Sequence, residues 1–83
     1  MWAKVRLFAI FREKAGISEV TLELPEHSTV ADLLAVMERR YPSVPVSMPH
    51  TMVAVNTEYV EKVHLLHDGD EVALIPPVSG GKQ

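Results

Sequence analysis

The chain has 83 residues, 47% hydrophobic and 23% charged, with a formal net charge of −3 and no cysteine. That length holds one domain, and the composition is globular rather than disordered. The missing thiols exclude disulfides, thiolate nucleophiles and Cys-type zinc or iron–sulfur sites. The basic residues are scattered, which argues against nucleic-acid binding. No apolar run approaches the roughly 20 residues of a membrane span. No charged segment followed by an apolar one opens the chain, so no leader is expected and the expected location is cytoplasmic.

Trp2 to Phe11 reads as a first strand, with Val5, Leu7 and Ala9 on one face and Lys4, Arg6, Phe8 and Ile10 on the other. Arg12 to Gly16 suits a hairpin connection. Val20, Leu22 and Leu24 then alternate with Glu19, Thr21 and Glu23 in a half-buried strand that Pro25 ends. A helix follows. Thr29 and Asp32 have the spacing of a capping box, and Val30, Leu33, Leu34, Met37 and Tyr41 form one apolar stripe. Arg39 and Arg40 complement the dipole of the last turn, and Pro42 stops the helix.

Pro42 to Pro49 reads as an extended, proline-rich loop. Thr51 to Asn56 reads as a mostly buried strand, and Asn56, Thr57 and Glu58 turn into a short strand near Tyr59 to Val63. Asp68, Gly69 and Asp70 form a turn, with Gly69 supplying a positive φ. A last strand runs from Glu71 to Pro76, with Val72 and Leu74 inward and Ala73 and Ile75 outward. Pro76 and Pro77 lack amide donors, so the ladder ends there. Two strands, one main helix on one face, and further strands fit an α+β domain with a single mixed sheet, the β-grasp or ubiquitin-like fold. The domain is expected over residues 1–77, with a tail over 78–83 carrying Gly80 and Gly81.

Three segments then carry a resemblance: V-R-L-F-A-I-F-R-E-K-A-G near the start, A-V-N-T-E-Y-V in the middle, and L-L-H-D-G-D-E-V-A-L-I-P-P-V-S-G-G at the end. Together they resemble the MoaD family, the small sulfur-carrying subunits of molybdopterin synthase, and the resemblance spans essentially the whole chain. It implies a cycle. An E1-like adenylyltransferase, similar to MoeB, uses ATP to adenylate the carboxylate of Gly81. A sulfurtransferase then leaves a thiocarboxylate there. The tail next enters the large subunit, similar to MoaE, in a heterotetramer. Sulfur passes to cyclic pyranopterin monophosphate, and the acid–base residues belong to the partner. The small subunit binds no cofactor of its own and is not catalytic alone.

The residues agree with that implication. A sulfur carrier without cysteine can hold sulfur on a backbone acyl group. Val78, Ser79, Gly80 and Gly81, extended, span about 13–14 Å. Glycines at the tip let enclosing walls approach the backbone, and Pro76 and Pro77 hold the base of the tether extended. Phe8, Tyr59 and Ile75 are the expected anchor cluster for partners; singly exposed hydrophobics are otherwise common. Lys82 and Gln83 follow the pair, so activation at Gly81 requires their removal. A peptidase, a non-native extension or loss of carrier activity would each account for them. Sulfur delivery for thiazole or tRNA, protein conjugation, and a non-carrier β-grasp interaction module stay open as alternatives.

Other motifs carry less. His27, His50, His64 and His67 have no ligand spacing with a completing carboxylate, so no metal is expected. D-G-D-E lacks the twelve-position calcium pattern, and S-G-G-K lacks the Ser or Thr and the helix of a phosphate loop.

Overall fold

The computed structural model describes residues 1–77. The elements are β1 (Trp2–Leu7), α1 (Ala9–Ala15), β2 (Glu19–Glu23), α2 (Val30–Arg40), β3 (Met52–Val55), β4 (Glu58–Val60) and β5 (Glu71–Ile75). The strands form one sheet in the order β2-β1-β5-β3-β4. β1 and β5 pair in parallel at its centre, and the other three pairings are antiparallel. This is the expected mixed sheet with one main helix, the β-grasp arrangement.

The period-2 pattern sets two faces. Ala3, Val5 and Leu7 of β1 point inward beside Leu22, Val72, Leu74, Val53 and Val55, and all are buried. α2 lays Val30, Leu33, Leu34 and Met37 against that face. Its N-terminus carries the expected capping box: the Thr29 hydroxyl accepts from the Asp32 N–H at 3.3 Å, and the Asp32 carboxylate accepts from the Thr29 N–H at 2.9 Å. Such a cap is worth about 1 kcal/mol.

Two expectations need correction. The first strand ends at Leu7, not Phe11, and Arg12 to Gly16 is no hairpin loop: α1 occupies Ala9–Ala15. The apolar run through Phe8, Ile10 and Phe11 extends the strand pattern, but Arg12, Glu13, Lys14 and Ala15 are strong helix formers. Gly16, at φ 75°, closes the helix with its N–H donating to the Arg12 carbonyl. Burial of Phe11, spaced four residues from Ala15 on one helical face, decides the outcome. Ile10 is therefore a helical residue, and Ala9, at φ 51°, turns the chain out of the β1 direction into α1, so neither continues the strand alternation. The proline-rich segment also differs from a plain extended loop, because Val44 and Val46 are fully buried and seal the core beneath it.

Candidate docking face at the root of the tail

The sheet face opposite α2 carries no helix. Across it runs one registered row: Glu19 of β2, Arg6 of β1, Ala73 of β5, Ala54 of β3 and Tyr59 of β4. Large side chains stand at Arg6 and Tyr59, and two alanine methyls lie between them. The result is a depression of about 180 Å³ lined by Arg6, Phe8, Ala54, Thr57, Glu71 and Ala73. One wall is preorganised. The Arg6 guanidinium donates to the Glu71 carboxylate at 3.1 Å and lies 5.9 Å from the Phe8 ring centroid. Both partners are half exposed, so the pair adds little stability. Its effect is to hold the guanidinium in place.

The three expected anchors lie on this side. Phe8 is 37% exposed and extended at φ −126°, ψ 154°, so it continues the direction of β1 one residue past the Leu7–Leu74 pair. Tyr59 is 66% exposed at the outer edge. Ile75 is half-buried and pairs with Met52. Met52 falls in a segment whose sequence reads as mostly buried, yet it is 43% exposed and joins Ile75 to the β4 side. Alternation with the buried Val53 is the signal in the sequence that points to it. Pro76 is buried and Pro77 half-buried, so the di-proline is seated against the domain. Val78, Ser79, Gly80 and Gly81, with Lys82 and Gln83, lie outside the described residues.

A polar clamp adjoins the depression at Glu71. Asn56 donates to the Asp70 carboxylate at 2.9 Å, and its side-chain oxygen accepts from the Glu71 N–H at 3.0 Å. Asp70 is buried and also accepts from the His67 N–H at 2.8 Å. Asn56 thus serves the turn and ties the β3–β4 hairpin to β5. Asn56 and Thr57 both have positive φ, 51° and 73°, as in the two-residue type I′ turn that matches strand twist. Asparagine tolerates that conformation, but a β-branched threonine in it is an outlier, strained by about 1–3 kcal/mol.

Elsewhere, a cleft of about 360 Å³ lies between α2 and the segment Leu24–Ser28. Its Asp32 is committed to the helix cap and its Ser28 hydroxyl to the Pro25 carbonyl. No group of three His, Cys, Asp or Glu side chains able to hold a metal occurs among the described residues. No described helix is long and apolar enough to cross a membrane.

Known proteins share both the sequence and the fold. The ThiS family matches residues 5–81, a span that closes on Gly81. The molybdopterin synthase sulfur carrier subunit of Chlamydomonas reinhardtii is 45% identical, covering 98% of this chain and 100% of that protein. Among solved structures, SAMP1 from Haloferax volcanii superposes with a TM-score of 0.88 at 30% identity, covering 98% of this chain and 100% of that one. A chain from the complex of subunits 1 and 2 of molybdopterin-converting factor from Helicobacter pylori shares the fold at a TM-score of 0.69 and 22% identity, covering 98% and 100%.

Proposed function

The chain belongs to the ThiS family, and on that premise we propose that it is the sulfur-carrier small subunit of molybdopterin synthase, with the backbone carboxyl of Gly81 carrying the sulfur. The observation that carries the reading is the course of β5. The strand leaves the centre of the sheet between β1 and β3 and passes directly into Pro76 and Pro77, from which V-S-G-G continues. The buried Pro76 fixes where the tether departs. Without a cysteine, the chain has no thiol to carry sulfur, and an acyl end can do so instead.

The chemistry runs in three steps. A carboxylate oxygen of Gly81 attacks the α-phosphorus of ATP on an E1-like partner, releasing pyrophosphate and making the acyl carbon a good electrophile. Sulfide equivalents from a sulfurtransferase displace AMP and leave the thiocarboxylate. The tail then enters the large subunit, where the thiocarboxylate sulfur bonds to cyclic pyranopterin monophosphate and water cleaves its bond to the Gly81 acyl carbon, restoring the carboxylate; a second loaded carrier supplies the second sulfur of the dithiolene. ATP and the acid–base groups belong to the partners. This chain supplies the nucleophilic end, the reach and the docking face. Lys82 and Gln83 follow Gly81, so a cut after Gly81 precedes activation; the family match closing on Gly81 supports that boundary.

Intact-mass analysis of protein purified from its native host tests the reading. The expected species ends at Gly81, with a fraction heavier by the mass difference between one sulfur and one oxygen. A population that always retains Lys82 and Gln83 and is never modified would sink it. A large synthase subunit should co-purify.

A further inference from the structure

The depression in the sheet face has a shape and a rim that the carrier chemistry does not use. We propose that it is a socket for one aromatic side chain of the large subunit, a tyrosine or a tryptophan. This rests on reading the chain as a synthase subunit.

Position argues for that occupant. Ala73, on the floor, lies two residues back along β5 from Ile75, roughly 7 Å from the strand's end. A protein that grips the exposed sheet face at the end of β5 meets this floor beside the root of the tail. At about 180 Å³ the depression is on the scale of one large side chain. Two methyls and the Phe8 ring form an apolar bed in which a second ring gains edge or offset contacts.

The rim narrows the chemistry further. Arg6 and Glu71 neutralise each other, so a charged occupant finds no opposite charge left over, and an arginine would face Arg6. A purely aliphatic occupant would cover the Thr57 hydroxyl and the remaining guanidinium donors without satisfying them, which is costly. A phenol or an indole has both the flat apolar body and the polar tip. Thr57 gives an independent pointer. A type I′ turn favours glycine there, yet this turn carries a strained threonine on the rim of the cavity.

Affinity of the isolated subunits tests the socket. Ala73→Leu, which fills the floor from within, should weaken binding to the large subunit about tenfold or more, with the thermal midpoint of the chain little changed. Replacing each surface Tyr and Trp of the large subunit with Ala should reveal one that loses comparable affinity and has almost no further effect against Ala73→Leu. Thr57→Gly strips the rim without adding volume and should weaken binding several-fold, an arm that holds even if Ala73→Leu fails to fold. The socket is overturned if the wild-type chain binds while Thr57→Gly and folded Ala73→Leu bind within about twofold of it. It is equally overturned if no aromatic replacement couples to Ala73→Leu; in both cases the carrier reading stands. If the wild-type chain does not bind the large subunit at all, the carrier reading fails and the socket fails with it.

Discussion

At the level of single residues, Asn56 and Thr57 occupy adjacent places in one turn with opposite energetics. Asn56 suits its positive φ and completes the valence of two neighbours, the Asp70 carboxylate and the Glu71 N–H. Asn56→Ala leaves both without that partner beside a buried acid and should cost about 1–3 kcal/mol. Thr57 is strained, with a β-branched side chain at φ 73°. Thr57→Gly should raise stability by about 0.5–1 kcal/mol after the larger backbone entropy of glycine is counted. Urea titrations of the two variants should move in opposite directions; a Thr57→Gly protein less stable than wild type would refute the strain assignment. The turn itself is legible from N-T-E in the sequence. The strain is not, because nothing in local composition says which of the two loop residues takes the harder conformation.

Among the elements, α2 is fully readable from the sequence and α1 is not, and the contrast has a physical cause. α2 announces itself by a capping box, an apolar stripe spaced at 3.6 residues and a proline stop. α1 is only seven residues long, has no side-chain cap at Phe8, and follows a strand whose alternation its own apolar residues continue. A helix so short draws its stability from packing, not from propensity. Phe11 supplies that packing and is fully buried. Phe11→Ala should therefore cost about 3–5 kcal/mol, whereas Ile10→Ala on the exposed side should change stability by less than about 0.5 kcal/mol. Equal and small effects at the two positions would mean that α1 is not packed as described. The proline-rich segment hides its packing in a related way: prolines mark the backbone course but say nothing of Val44 and Val46 turning inward.

For the whole molecule, the carrier reading proposed above rests its docking on the asymmetry between the two sheet faces. One face is sealed by α2; the other presents Phe8, Ile75, Met52 and Tyr59 around an alanine-floored hollow. Alternation along the first and last strands makes Phe8 and Ile75 legible in the sequence as outward anchors. Met52 and the hollow depend on which strands become neighbours, and strand order is not written in local pattern. Ile75→Lys should weaken association with the large subunit at least about tenfold, because a lysine head at a half-buried contact has to be desolvated. The same variant should keep its denaturation midpoint, since the lysine stem can lie along the sheet with its head in water. Unchanged affinity would remove this face from the docking account.

β5 also determines how the domain meets mechanical load. The strand is clamped on both flanks, by β1 in parallel and by β3 in antiparallel, and the carboxyl-terminal segment follows directly from its end. Traction on that segment pulls along the strand, so both ladders resist together in shear instead of opening one bond at a time like a zipper. A pull transmitted to the end of β5 is therefore met by two ladders at once, and the body of the domain holds together behind it.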